Sequence, residues 1–382
     1  MKRLMMGFAA LLAMTGLAFA ETEISFYNKL YMEDAFWGHD GDADENVKMF
    51  APIKNKFDLQ FESEKLSGQV KGIVWFLDFG GETYGLAGEL KDAWVEFRPI
   101  EQVGLAFREN IVAWPSTLPI YDDDLQSGNI GSNGFTAWYA PSPLNGALKF
   151  AATVPMDWYL DDATFGVISP NYFNGKDDEG NDNKFNFGLG AAYTHELFEV
   201  SFSAGNIINN DKRKLGGTVG FPNLFGLVEH LNLGFGYEYI KEGDGYADFI
   251  NYLTVVGGVG GKNMFNAVLT YEGESFAITA EGLTNFSEDS ELANETHDLY
   301  GALEFDLGLT DQLTLALTGK ILSDFTSDDK AADGKALKNA YMGGVGLAFA
   351  VNEHHELGAG FEAGFQSKSY GFAIPVFWKY TY

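Results

Sequence analysis

The stretch Phe372–Tyr382, FAIPVFWKYTY, decides how the rest of the chain is read. Phe372, Ile374, Val376, Trp378, Tyr380 and Tyr382 share one parity, and Ala373, Pro375, Phe377, Lys379 and Thr381 share the other. Strand side chains alternate between two faces, so this is a strand with one apolar, aromatic face that runs to the final residue. Chain ends are usually polar and frayed. Such a face needs a cover, and the cover need not be protein.

The same two-residue period recurs through the chain. KFNFGLGAAYTH (184–195) sets Phe185, Phe187, Leu189, Ala191 and Tyr193 against Asn186, Gly188, Gly190 and Ala192. HLNLGFGYEYI (230–240), DLYGALEFDLGLT (298–310) and HELGAGFEAGFQ (355–366) repeat the arrangement and fail the 3.6-residue period of a helix. Each segment has the length of a tilted strand that crosses a bilayer. Tyr27, Tyr31, Trp94, Trp138, Tyr193, Tyr239, Tyr271 and Trp378 crowd the strand ends, where interfacial girdles are expected. Short connections, such as HEL after Thr194 and TDQ after Leu309, alternate with long polar ones at 34–53, 115–133, 156–183, 287–296 and 323–338.

Strand segments are predicted at 24–33, 55–64, 68–79, 88–98, 102–112, 134–141, 146–155, 184–194, 198–207, 214–221, 230–241, 263–272, 275–286, 298–310, 312–323, 339–351, 356–367 and 369–382. That is an even number, as a barrel with both termini on its short-turn side requires. Parity holds only if FINYLTVVGGVGG (249–261), strand-like in composition, stays out of the wall. A count of sixteen is the alternative.

The opposite end reads MKRLMMGFAALLAMTGLAFAETE. Lys2 and Arg3, an apolar run from Leu4 to Leu17 and Ala18-Phe19-Ala20 have the layout of a secretory signal peptide. A signal peptide is therefore expected over 1–20 and a single mature domain over 21–382. No later segment has eighteen consecutive apolar residues, so no transmembrane helix is expected. The chain has no cysteine, so no disulfide holds it. Its formal charge of −29 argues against nucleic acid as a partner, and its 46% hydrophobic content argues against disorder.

In hydrocarbon every backbone N–H and C=O needs an internal partner, so strands cross only as a closed sheet. The fold class expected is all-β, a transmembrane antiparallel up-and-down β-barrel of about 18 strands. Lipid then covers the outward aromatics. A barrel this wide cannot be filled by side chains, so water enters. The inward parity agrees: Lys56, Asp58, Gln60 and Glu62; Glu96 and Arg98; Arg108; Lys149; Glu238; Glu304 and Asp306; Lys320; Glu362. A soluble β-sandwich also alternates, but its dry core would not tolerate these charges. The function expected is a water-filled passage for small hydrophilic solutes or ions.

Export signal, alternating segments, loop asymmetry and aromatic terminal strand together resemble Gram-negative-type outer-membrane porins. The resemblance covers the whole mature chain as architecture. It implies an outer-membrane location, a homotrimer as in trimeric members, and recognition of Ile374, Val376, Trp378, Tyr380 and Tyr382 by the barrel-assembly machinery. Tyrosine stands where phenylalanine is commonest at the last position. In trimeric porins the third long loop folds into the pore. Here that loop carries Asp122, Asp123 and Asp124, with Arg98 and Arg108 as the basic residues that would face them. Rings of acidic residues attract cations, so the overall acidity leans the expectation toward cations.

Other readings are a substrate-specific channel for a nutrient such as a sugar or carboxylate, and a surface adhesin with ligand-binding loops. Asp40, Asp42 and Asp44 alternate like the start of a calcium loop, but Glu45 and Ala51 stand where Gly and Glu belong. No cofactor is expected beyond weak divalent-cation binding by such acidic loops. No Gly-x-Ser-x-Gly elbow is present, and no histidine is spaced with a nucleophile, so no catalytic residue is assigned.

Overall fold

The computed structural model describes residues 23–32, 35–40, 45–50, 53–78, 84–107, 134–141, 147–155, 158–160, 168–170, 187–205, 207, 214–240, 245–252, 255–285, 297–323 and 339–382. In chain order the strands are β1 (Glu23–Met32), β2 (Ala35–Asp40), β3 (Glu45–Phe50), β4 (Ile53–Glu62), β5 (Leu66–Asp78), β6 (Tyr84–Ile100), β7 (Val103–Phe107), β8 (Gly134–Tyr139) and β9 (Leu148–Pro155). Next come β10 (Trp158–Leu160), β11 (Ile168–Pro170), β12 (Gly188–His195), β13 (Phe198–Gly205), β14 (Lys214–Phe221), the one-turn helix α1 (Asn223–Gly226), β15 (Leu231–Ile240), β16 (Gly245–Tyr252) and β17 (Val255–Gly261). The last are β18 (Asn263–Glu272), β19 (Phe276–Asn285), β20 (Leu299–Thr310), β21 (Leu313–Ser323), β22 (Ala340–Ala350), β23 (His355–Gln366), β24 (Ser369–Ala373) and β25 (Val376–Thr381).

Twenty-one of these strands form one antiparallel sheet that closes on itself. β1 with β2, β3 with β4, and β24 with β25 are stretches of single wall strands, which leaves a wall of 18. The seam joins the first and last strands: Phe26 N–H donates to Tyr382 O at 2.9 Å, and Tyr382 N–H donates back at 2.8 Å. The last wall strand is interrupted at Ile374-Pro375, because proline has no N–H to give the ladder. Its register survives, since Ala373 pairs with Glu362 and Val376 with Ala359.

The wall departs from expectation in its first hairpin. Residues 34–53 read as a polar loop, yet β2 and β3 pair there from Ala35–Phe50 to Asp40–Glu45. β2 also pairs with β24, where Trp37 stacks on Phe372 with ring centroids 5.7 Å apart. Tertiary pairing with the terminal strand overrides the local composition. Segment 249–261 stays out of the wall as expected. It belongs to a separate hairpin in which β16 pairs with β17.

Among the described residues the outward parity is largely apolar, with the hydrogen-bonded pair Asn28–Asn55 as an exception, and Ile374, Val376 and Trp378 of the terminal strand expose 43%, 42% and 39% of their surface. An apolar, aromatic outer face of this kind is what outer-membrane barrels turn toward the bilayer. Three girdle candidates face the other way. Trp94 Nε1 donates to Gln69 Oε1 at 2.9 Å, Trp138 Nε1 donates to Glu96 Oε1 at 2.7 Å, and Tyr27 pairs in register with Asp58. The two indole N–H groups find partners among inward side chains, and Lys379 Nζ lies 6.0 Å from the Tyr27 ring.

Glycine has a specific use where an aromatic ring lies across the neighbouring strand. Phe61 covers Gly68, Trp138 covers Gly104 and Phe377 covers Gly358, each a cross-strand pair. A Cβ on any of the three would meet the ring. Such pairings pin register, because the ring has a seat only opposite the glycine.

Candidate functional site

The lumen is the concave, polar part of this molecule, and strand parity determines what lines it. On adjacent strands β25, β1 and β4, register places Lys379, Lys29 and Lys56 side by side in one row. Like charges directly opposite destabilise a sheet, so three in a row break a local rule at a site where charge is useful. Aromatic faces and one carboxylate offset the repulsion. Lys29 Nζ sits 4.2 Å above the Phe377 ring, and Lys379 Nζ lies 4.0 Å from Glu356.

Glu304 and Asp306, next but one on β20, form the acidic counterpart. Glu304 lies in the fields of Asp306, Lys320 on β21 and Lys29 on β1. Charges of both signs therefore act on one another from separate sectors of the wall. Glu362, inward on β23, extends the acidic side. On β12 to β14 most inward positions are small, among them Gly190, Ser201, Gly216 and Thr218, with Glu199 and Lys214 at opposite ends of the same parity.

The remaining sequence-derived candidates divide by environment. Asp58 accepts both contacts of the Gln69 amide, at 2.9 and 2.8 Å. Arg98 is turned toward the chain end of the barrel, 3.6 Å from Glu62 and donating to Ser63 O at 3.2 Å. Glu96 is buried beneath Trp138, over whose ring Lys149 Nζ stands at 4.8 Å. Arg108, Asp122, Asp123 and Asp124 lie outside the described residues, as do residues 1–22 and 176–183. Among the described residues no group of three or more acidic or histidine side chains is placed to hold a metal ion.

A second element borders the lumen. The hairpin β16–β17 leaves β15 and returns at β18, and β17 passes close to β19 through β24 in turn. Val259 on β17 makes a parallel bridge to His297. Along the strands it passes, the inward residues Leu283, Tyr300, Leu322 and Ala340 are sealed from solvent, as is Met264 on the adjoining β18. Strands curving around one side of a barrel can all be neighbours of one short strand only if that strand lies within their arc.

No protein-family model and no curated protein matches the sequence. Solved structures do match. Pseudomonas aeruginosa OccK1 (OpdK) shares 12% identity at a TM-score of 0.56, over 96% of this chain and 99% of its own. The fold is that of an outer-membrane porin. Acinetobacter baumannii OccAB4 gives a TM-score of 0.51 at 12% identity, over 95% of this chain and 98% of its own. A further structure of Pseudomonas aeruginosa OpdK was solved with vanillate, and matches with a TM-score of 0.56 at 12% identity.

Sequence reasoning missed two features of this porin barrel. The lysine row needs register across the closure seam, which no local pattern encodes, although the inward parity of Lys379 was legible. The lumenal hairpin had a signal in the strand-like composition of 249–261, without an indication of where it docks.

Proposed function

We propose that the protein is an outer-membrane channel for passive diffusion of small hydrophilic solutes, exported with a signal peptide over residues 1–20. The observation that carries this is the closed 18-strand wall with an apolar outer face and inward charges of both signs. Such a barrel excludes a dry core and leaves a wet one. The terminal strand, with Ile374, Val376, Trp378, Tyr380 and Tyr382 on its lipid face, is the signal for the barrel-assembly machinery in this reading.

A second reading has specific support: a channel selective for small carboxylates. The row Lys379–Lys29–Lys56 offers a track of cationic points on one wall, opposite in sense to the cation lean inferred from net charge, which the inward Glu304, Asp306 and Glu362 would serve. The match to a channel solved with vanillate is in keeping with it. Planar-bilayer conductance in a KCl gradient tests both. Stepwise conductance establishes the pore, and a reversal potential of chloride sign supports the lysine track. Absence of conductance steps from purified, folded protein would defeat the first reading, and potassium selectivity the second.

A further inference from the structure

We propose that the β16–β17 hairpin biases the ion preference of the passage by masking three carboxylates of the wall, Glu238, Glu281 and Asp298. The inference rests on the lysine-row reading above. Its first support is the seat. Leu283, Tyr300, Leu322 and Ala340 point inward yet are apolar and sealed, with Val259 of β17 at 0% exposure above them. Apolar side chains facing a water-filled lumen would lose the stabilisation of burial, and a docked strand supplies it. The hairpin is therefore a resident part of the lumen.

Its second support is electrostatic. At the margin of that seat lie Glu238 on β15, in register with Met264, Glu281 on β19 and Asp298 just before β20, exposed by only 1%, 6% and 4%. Glu281 accepts a hydrogen bond from the Tyr300 hydroxyl at 2.8 Å. Carboxylates sealed from water are held by partners and are not presented to a passing ion. Lys29 and Lys56, half-buried, keep water contact in another sector. Glu304, Asp306 and Glu362 stay half-buried on the lumen wall, so sealing Glu238, Glu281 and Asp298 lessens the acidic share of the charge that faces the aqueous path and shifts the preference toward the lysine row.

The test uses the full chain and a shortened one. Tyr239 and Asn263 face each other across β15 and β18, so a two-residue Asn-Gly turn can replace residues 240–262 without changing register. That segment carries Glu242, Asp244 and Asp248 against Lys241 and Lys262, so its loss alone would move the balance toward anions. Masking demands the reverse. The chloride-to-potassium permeability ratio should fall severalfold in the shortened channel. Glu238→Gln with Glu281→Gln should leave the full-length ratio unchanged and recover much of the loss in the shortened one. Val259→Asn, which wets the seat without changing charge or chain length, should move the ratio the same way if the shortened chain fails to fold. Equal effects of the glutamine pair in both backgrounds, or an unchanged ratio after both hairpin changes, overturn the proposal. A full-length channel that prefers potassium sinks the lysine-row reading, while the contrast between backgrounds still decides masking.

Discussion

Gly104→Ala is the sharpest perturbation of the wall. The new methyl would sit where the Trp138 indole now lies against the Gly104 backbone. Forcing a side chain into filled space costs about 1–3 kcal/mol. Trp138 cannot swing away freely, because its Nε1 holds the buried Glu96 carboxylate at 2.7 Å. A hydrogen bond to a charged group contributes roughly 1.5–3 kcal/mol, so the two effects together predict about 3–5 kcal/mol of destabilisation. The assay is urea unfolding of the barrel in short-chain phosphatidylcholine vesicles, followed by cold-gel mobility. A double-mutant cycle isolates the cause. Trp138→Ala removes the collision partner, so in that background Gly104→Ala should change stability by less than about 0.5 kcal/mol. A coupling energy below about 1 kcal/mol would refute the reasoning, because contacting residues couple by more than distant ones.

The remaining predictions concern the lumen, the lipid face and the seam. Lys29→Gln with Lys56→Gln should lower the chloride-to-potassium permeability ratio severalfold while single-channel conductance persists, read from reversal potentials in planar bilayers. Glu304→Gln with Asp306→Asn should move the same ratio in the opposite direction. On the lipid face Asn28 Nδ2 donates to Asn55 Oδ1 at 2.7 Å. Asn28→Leu alone should cost about 1–2 kcal/mol in vesicle unfolding by stranding Asn55, whereas leucine at both positions should be close to neutral. Gly358→Ala should displace Phe377 from its seat beside the closing strand, and should slow the appearance of the folded, fast-migrating form in refolding time courses.

Period-two alternation was enough to point to an all-β barrel here, because a chain with no eighteen-residue apolar run after residue 20 can cross hydrocarbon only as a closed sheet. It also yielded the wall count, the outward face of the terminal strand and the inward parity of Glu304, Asp306, Lys320 and Glu362. β14 and β18 fall on the residues read from the sequence, Lys214–Phe221 and Asn263–Glu272. Parity is a local property, so it survives without knowledge of neighbours. It failed where a polar stretch, 34–53, was recruited into the wall by pairing with β24, and the strand pair β10–β11 lies inside the connection read at 156–183.

Proximity across the barrel was out of reach of any local pattern. Which lysines form a row depends on register at the seam, set by backbone pairing between Phe26 and Tyr382, residues at opposite ends of the chain. Trp94 shares the parity of Glu96 and Arg98, so its inward face was legible in the sequence, but that it bonds Gln69, and that Trp138 bonds Glu96, depends on which strands are adjacent. The seat of the hairpin is built one or two residues at a time from the ends of many strands. Each inward apolar residue looks like an exception in its own strand, and only closure of the sheet gathers them into one surface.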